Sequence, residues 1–402
     1  MGSTKLVRWP RIVTGVVTLL FAGVIYAWSI LKVPFEASWD AGQLGLNYTL
    51  TVCFFCIGGF ISGLISKKTT STLRLIISAV LLFLGFFIAS RLEGGSVVSL
   101  YLSYGVLAGI GIGFVYNTVI GTVCAWYPEK KGLCSGILLM GFGLSSLIIG
   151  RIADIMGKSE AIGWRNTYVI IAISLAVVLL IAAPLVKPPP AGTVFPAPKA
   201  ERKARQSREV RDYTALEMIK RPSFVLGFIY VAIIASAGSA AISFARDIIL
   251  DIGATPGFAV TTVGMLAVFN GFGRLLSGWL FDRFGIKKTM YVVSSAAVAA
   301  PLIVVLALTL NSLVLGIAGV CLCGLSYGFA PTVCSAFASE FFGPKNFSLN
   351  FSIFTLILVP APFAATLAGM IKNLTDGFSA AFIILTAVSV VGLFIGMCIK
   401  KA

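Results

Sequence analysis

The chain has 402 residues, of which 58% are hydrophobic and only 11% are charged. Soluble domains carry about 25% charged residues because their surfaces face water, so this composition excludes a soluble globular protein and indicates a polytopic membrane protein. The formal net charge of +16 does not by itself indicate a nucleic-acid partner, because such a partner needs the basic residues clustered on one soluble surface.

A transmembrane helix needs about 20 mostly apolar residues, and twelve runs of about that length follow one another along the chain. They predict an all-α fold with twelve transmembrane helices, which we number as spans 1 to 12. The first run lacks a small-residue cleavage site, so we expect a retained helix rather than a signal peptide. The predicted spans are 11–33, 43–66, 74–92, 97–125, 131–156, 164–186, 222–246, 257–281, 287–310, 313–339, 347–372 and 376–399.

The spans form two sets of six on either side of residues 187–221. This segment is proline-rich and then strongly charged, which predicts a solvated linker with a short amphipathic helix. We therefore expect a six-helix bundle in residues 1–186, a cytoplasmic linker, and a second six-helix bundle in residues 222–402.

Similarities at a constant spacing indicate that the two halves are homologous. Ser62 and Ser277 each precede a glycine and lie 215 residues apart, and Trp126 and Phe341 have the same separation. Each pair falls at an equivalent helix end. Repeats of this kind predict two pseudo-symmetric bundles.

The Lys and Arg residues are distributed unevenly between the two ends of the spans. Of the 31, 23 lie on the side of the linker, seven lie on the opposite side, and only Arg274 lies deep within a span. Because Lys and Arg are enriched in cytoplasmic loops, we expect a multi-pass protein of the cell (inner or plasma) membrane with both termini in the cytoplasm. This distribution explains the net charge without a nucleic-acid partner.

We expect neither an enzymatic centre nor a metal or cofactor site. The chain has no histidine, which removes the commonest metal ligand and any Ser-His-Asp triad. Its eight cysteines lack the spacing of zinc ligands or of a disulfide framework. An intramembrane enzyme would also need catalytic groups such as paired carboxylates, and none lies centrally in a predicted span.

A motif between spans 8 and 9 carries the first family resemblance. It reads Gly278-Trp-Leu-Phe-Asp282-Arg283-Phe-Gly285, followed by Ile and two lysines. It resembles the cytoplasmic motif of the major facilitator superfamily, in which acidic and basic residues latch neighbouring helix ends. The first half departs from this motif, because Lys67 stands where the aspartate would be. The resemblance spans essentially the whole chain and implies two six-helix bundles that rock around a midplane site in alternating access.

Three further patches resemble one group of that superfamily, the oxalate/formate antiporters and monocarboxylate transporters. In this group an arginine in span 8 pairs with the substrate carboxylate, and the corresponding residue is Arg274. The patches are Tyr26-Ala-Trp28-Ser29 in span 1, Trp126-Tyr-Pro128-Glu-Lys130-Lys131-Gly132 between spans 4 and 5, and Asn270-Gly-Phe-Gly-Arg274 in span 8.

Two departures from this group narrow the expected substrate. Phe354 stands where the antiporters have a second cation, a lysine in span 11, which argues against a dianion that needs two cations. Asn270 stands where the proton-coupled animal transporters have an aspartate. The animal-type switch between aspartate and arginine is therefore not expected here.

The depth of Arg274 also favours a binding role. It lies eight residues from Asp282, roughly 12 Å along a helix and close to the middle of a core about 30 Å thick. A central arginine costs about 2.5–3.5 kcal/mol on insertion scales, and such residues face cavities and find partners. The alternative is an arginine that snorkels to the interface or binds backbone carbonyls. A single guanidinium in an apolar and aromatic cavity suits a small monoanion such as lactate, pyruvate or acetate.

Other polar residues in cavity-facing spans are weaker candidates, because ordinary helix packing explains each of them as well as substrate contact does. A tyrosine hydroxyl could bond the second carboxylate oxygen or a 2-hydroxyl group of the substrate. These candidates are Tyr26, Ser29, Tyr116, Asn117, Asn270 and Tyr327.

Two modes of transport follow from these residues. If Asp247 or Asp251, at the outer end of span 7, pairs with Arg274 in the empty carrier, substrate would displace it and raise its pKa, giving proton symport. Solvated outer-loop charge is the competing interpretation for both aspartates, and anion exchange is the alternative mode. We expect a monomeric, proton-linked carrier; a transporter-like receptor that binds without turnover is a further alternative that measurable flux would dismiss.

Overall fold

The computed structural model describes residues 2–39, 41–190, 192, 193, 195, 211–361, 363–375 and 377–399. The regular elements in these residues are helices, which confirms the predicted all-α fold. The main helices of the first half are Gly2–Ala22, Ala41–Ile65, Ser71–Ala89, Gly109–Cys124, Lys131–Ser145, Arg151–Lys158 and Gly163–Leu185. Those that follow are Ala215–Ile219, Pro222–Asp251, Pro256–Leu310, Leu313–Glu340, Phe347–Thr355, Phe363–Thr375 and Ser379–Cys398.

Twelve membrane spans are present, and spans 8 and 9 follow one another with only a kink between them. Eleven stretches of the described residues are long and apolar enough to cross a membrane, and one of them, Gly257–Leu310, has 54 residues. At 1.5 Å per residue it would extend roughly 80 Å, far more than a bilayer core of about 30 Å. Gly285 divides it, because its φ of 75° and ψ of 172° are non-helical and accessible mainly to glycine.

Local signals in the sequence explain where several spans begin and end. Thr70 accepts a hydrogen bond from the backbone N–H of Leu73 and caps the start of span 3. Pro222 occupies the first turn of span 7, where its missing N–H costs nothing. Asn311, with a φ of 46°, ends span 9 in the left-handed conformation.

Three spans of the first half depart from α-helical geometry. Span 1 tightens to a 3-10 helix at Gly23–Ala27, whereas span 4 widens to a π-helix at Tyr101–Ala108 and span 5 does so at Ser146–Gly150. Such segments often mark functional sites in helices. The apolar runs predict the spans themselves, but not these changes of helical pitch.

Pro360 in the predicted run indicates a kink in span 11, and the structure has an interruption there. The predicted run 347–372 consists of the helix Phe347–Thr355, a 3-10 turn at Leu356–Leu358 and a second helix from Phe363. Pro360 lies in the break. Proline lacks the N–H that the helical ladder needs, and its ring obstructs the preceding turn, which explains the interruption.

Two compact units make up the fold. The first contains Met1–Cys134, Gly141–Arg208 and Ser348–Leu356, and the second contains the remainder. Residues 135–140 of span 5 therefore belong to the second unit, and residues 348–356 of span 11 belong to the first. The boundaries predicted at 187 and 221 stay a prediction.

The last residues of the predicted linker dock onto the loop between spans 10 and 11. The backbone N–H of Tyr213 donates to the carbonyl of Phe342, and Asp212 Oδ1 accepts from the backbone N–H of Lys345 at 2.9 Å. Asn346 Nδ2 donates to the carbonyl of Tyr213 at 2.8 Å. This end of the linker is therefore held by specific hydrogen bonds rather than only solvated.

Candidate functional site

Arg274 is fully buried in span 8, and its side chain has polar partners in the second unit. Its guanidinium Nη1 donates to the backbone carbonyl of Leu139 at 2.9 Å, and its Nε donates to Asn270 Oδ1 at 3.3 Å. Asn270 lies one helical turn before Arg274 and is 5% exposed. The structure thus brings together the two span 8 residues that the sequence singles out. Arg274 also binds a backbone carbonyl, as expected under the alternative interpretation in which this arginine has only a packing role.

The backbone of Arg274 is held as firmly as its side chain. Its carbonyl oxygen accepts hydrogen bonds of 3.1 Å from Thr332 Oγ1 in span 10 and from Ser277 Oγ in span 8. Gly136 of span 5 lies so close that a Cβ on it would be 2.5 Å from this same oxygen. Spans 5, 8 and 10 therefore meet at Arg274, and only a glycine allows span 5 to approach so closely.

The sequence does not point to Leu139, Gly136 or Thr332 as neighbours of Arg274. Every residue has a carbonyl, so a hydrogen bond to the carbonyl of Leu139 leaves no trace in the residue type. A glycine that permits close helix approach resembles the many other glycines of a membrane chain. The depth of Arg274 and its family resemblance identify this residue from the sequence, but neither signal identifies the residues that surround it.

Five aromatic residues of the first unit form what we call the Phe142 cluster: Tyr26, Phe55, Tyr116, Phe142 and Phe351. The rings of Tyr26 and Tyr116 both meet Phe142 edge to face, with centroids 5.5 and 5.1 Å away. Phe351 stacks on Tyr116 at 5.8 Å, and Phe55 contacts it edge to face at 5.1 Å. Phe142 therefore connects two predicted lining residues, Tyr26 and Tyr116. Nothing in the sequence distinguishes Phe142 from the other phenylalanines, of which the chain has 30 in all.

Asn117 also lies in the first unit and is nearly fully buried. Its Nδ2 donates to the backbone carbonyl of Ser348 at 2.9 Å, whereas its Oδ1 has no hydrogen-bond partner among the described residues. An unsatisfied buried amide oxygen costs about 1–3 kcal/mol in proteins. Among the described residues, Asn117 therefore keeps one buried acceptor unused.

The remaining lining candidates give less information. Tyr327 is buried in span 10 and packs on span 7, where a Cβ on Gly238 would be 2.4 Å from the Tyr327 Cβ. The side chain of Ser29 lies outside the described residues. Tyr26, Tyr116 and Asn117 belong to the first unit, and Arg274, Asn270 and Tyr327 belong to the second.

The two proton-coupling candidates lie at the end of helix Pro222–Asp251. The side chain of Asp247 is 40% exposed and 3.8 Å from the guanidinium of Arg246. Asp251 is exposed as well. Both therefore differ from the fully buried Arg274, and solvated charge stays the competing interpretation for them.

The predicted latch motif surrounds the break between spans 8 and 9. Gly278 is buried in the last turns of span 8, Asp282 is half-buried, and Gly285 forms the break. Arg283 is exposed, with its guanidinium 6.0 Å from the ring of Phe284. The motif thus occupies the helix end at which the sequence places it, and its latching role stays a prediction.

A second charged cluster occupies the loop patch between spans 4 and 5, to which the sequence assigns no role. Arg8 forms an ion pair with Glu129, and its guanidinium lies 4.3 Å from the ring of Tyr127. Burial raises the pKa of Tyr127. Arg11 covers the ring of Trp126 at 4.0 Å. We call these five residues the Arg8 clasp; they join the start of span 1 to the loop.

Comparison with known protein families assigns the chain to a superfamily. The model of the Major Facilitator Superfamily matches residues 12–366. The chain belongs to the major facilitator superfamily, and it is a multi-pass membrane protein.

Relatives within the superfamily are distant but cover most of the chain. The chain is 27% identical over 359 residues to the MFS-type transporter YhjX of Escherichia coli, which covers 87% of this chain and 84% of the relative. It is 23% identical over 389 residues to the oxalate:formate antiporter of Oxalobacter formigenes, with coverage of 94% and 88%. Identity to human monocarboxylate transporter 12 is 23% over 393 residues, with coverage of 92% and 75%.

Solved structures agree with this assignment at the level of the fold. The chain superposes on the fucose:proton symporter of Escherichia coli with a TM-score of 0.72 and 15% sequence identity. The match covers 98% of this chain and 99% of the symporter. At this identity the likeness establishes the architecture of two pseudo-symmetric six-helix bundles and says nothing about the substrate.

Proposed function

We propose that this protein is a secondary active transporter of a small monocarboxylate such as lactate or pyruvate, and that Arg274 binds the carboxylate. The fully buried guanidinium of Arg274 is the observation that carries the proposal. Its planar fork matches the two oxygens of a carboxylate, and such bidentate bonds are about twice as strong as neutral ones. The substrate moves by alternating access across the cell membrane, and both termini of the monomeric carrier face the cytoplasm.

The names of two relatives support this substrate class. One relative is an oxalate:formate antiporter and another is a monocarboxylate transporter, and both align over more than nine-tenths of this chain. Phe354, which stands in place of the antiporters' second cation, is fully buried. A carrier with one cation suits a monoanion better than a dianion.

The surroundings of Arg274 favour net transport over strict exchange. A buried charge is costly unless it is compensated, so an arginine without partners would hold the empty carrier open until an anion arrives. Here the carbonyl of Leu139 and the amide of Asn270 provide dipoles for the guanidinium. The empty carrier can then reorient, and proton-coupled transport requires this step. Asp247 and Asp251 are the candidate proton carriers. Anion exchange is the second candidate mode of transport.

Uptake into proteoliposomes tests the proposal. We expect labelled lactate to enter vesicles that contain no internal anion when an inward proton gradient is imposed. We expect Arg274→Gln to abolish saturable uptake, whereas the same substitution at the exposed Arg91 should retain it. Saturable uptake by Arg274→Gln with unchanged affinity would contradict the role of the arginine, and uptake only into lactate-loaded vesicles would establish exchange.

A further inference from the structure

The carbonyl of Leu139 competes with a bound carboxylate for Nη1 of Arg274, one of the two terminal nitrogens that a carboxylate engages when it binds end-on. Nη1 of Arg274 donates to this carbonyl at 2.9 Å, and a bidentate carboxylate engages two N–H groups on one edge of the guanidinium. A charged carboxylate is the stronger acceptor of the two. The carbonyl loses little when it is displaced, because it lies inside the helix Lys131–Ser145 and retains its place in the helical ladder.

From this competition we infer that the Leu139 carbonyl stands in for the substrate in the empty carrier, and that an arriving carboxylate displaces it and loosens span 5 from span 8. The inference rests on the proposed function, since it assumes that Arg274 binds the carboxylate. It adds two positioning residues: Leu139, through its main chain, and Gly136, through its small size. Binding of the carboxylate to Arg274 and release of residues 135–140 from span 8 then occur together.

Gly136 sets the strength of the competing bond. A Cβ at this position would be 2.5 Å from the carbonyl oxygen of Arg274, a backbone atom that Thr332 and Ser277 also hold. An alanine must therefore push span 5 away from span 8 and lengthen the bond between Leu139 and Arg274. The head group of Arg274 and its bond to Asn270 are left in place.

Binding by a Gly136→Ala variant gives the first test. A hydrogen bond to a charged group contributes enough that its loss should tighten L-lactate binding about threefold to tenfold. Gly141→Ala is the matched control, since it lies on the same helix and its Cβ would be 2.8 Å from the carbonyl of Val16, far along the chain from Arg274. We expect the control to change the dissociation constant by less than about twofold. Unchanged or weaker binding by a folded Gly136→Ala variant would overturn the inference.

Hydrogen exchange of the unmodified protein gives a second test that needs no variant to fold. L-lactate should accelerate deuterium uptake in a peptide covering Ser135–Ser145, and it should leave Ser71–Ala89 of span 3 unchanged. In Arg274→Gln the ligand should have no effect on either peptide. If L-lactate raises the melting temperature but slows or does not alter exchange in span 5, the inference is wrong and the proposed function stands. If acetate, pyruvate and lactate all fail to bind, the proposed function itself is wrong.

Discussion

The guanidinium of Arg8 and the carboxylate of Glu129 form an ion pair that ties the start of span 1 to the loop between spans 4 and 5. The two side chains are only 6% and 16% exposed. Trp126, beside this pair, donates its indole N–H to the carbonyl of Lys187 at 2.7 Å, so the end of span 6 joins the same place. The start of span 1 and the residues just after span 6 are thus both fastened to the loop between spans 4 and 5.

Breaking this ion pair should destabilise the protein. Glu129→Gln leaves Arg8 largely buried with a weaker partner, and we expect a loss of about 2–3 kcal/mol in unfolding free energy, measured in detergent by denaturant titration. Lys32→Gln removes an exposed i,i+4 pair with Glu36 and should change stability by less than about 0.5 kcal/mol. Equal losses in the two variants would contradict a special role for the clasp.

Asn270→Asp should weaken substrate binding. The new carboxylate would lie within 3.3 Å of the Arg274 Nε and give the guanidinium an internal anion that competes with the substrate. We expect the dissociation constant for lactate to rise about tenfold, because the competing bond becomes charge-assisted. Calorimetry at pH 7.5 measures this, and Asn270→Ser, which adds no charge, is the control. Tighter binding by Asn270→Asp would argue against a direct role for Arg274.

Phe142→Ala should disturb both predicted lining tyrosines together. Its ring holds Tyr26 and Tyr116 edge to face, so its removal leaves a cavity inside the Phe142 cluster. We expect a loss of about 3 kcal/mol in stability and a fall in uptake. Phe394, which is 60% exposed on span 12, supplies the control, and Phe394→Ala should lower stability by less than about 1 kcal/mol. Comparable losses would contradict the importance of the cluster.

Acid should loosen the end of the linker. The carboxylate of Glu217 accepts hydrogen bonds from the backbone N–H and the hydroxyl of Thr214. These hydrogen bonds hold the pKa of the Glu217 carboxyl below its ordinary value of 4.5. A carboxyl with a lowered pKa stabilises the folded form above its unfolded-state pKa, and this contribution is lost as the pH falls through the folded-state pKa. We expect amide exchange in helix Ala215–Ile219, corrected for intrinsic rate, to accelerate below about pH 4.5. Glu217→Gln should remove this pH dependence; its persistence in the variant would assign it to another group.

The sequence predicts the spans well because the bilayer requires long apolar runs, and it predicts the proximity of Asn270 and Arg274 because residues four apart share a helix face. The sequence does not predict the features that depend on the backbone alone. The carbonyl of Leu139 and the π-helix at Tyr101–Ala108 depend on how neighbouring helices pack, and neither requires a distinctive side chain. The interruption of span 11 is predicted as well, because Pro360 lies within the run 347–372 and proline breaks the helical ladder.

Residues 135–140 and 348–356 each cluster with the unit formed largely by the other half of the sequence. A gene cut in the linker would therefore yield two fragments, neither of which carries the whole of one compact unit. Each fragment made alone would leave exposed the surface that the other fragment's segment normally covers. Separately expressed fragments should consequently depend on one another for accumulation in the membrane. Each fragment then needs the other in order to fold, and not only in order to transport.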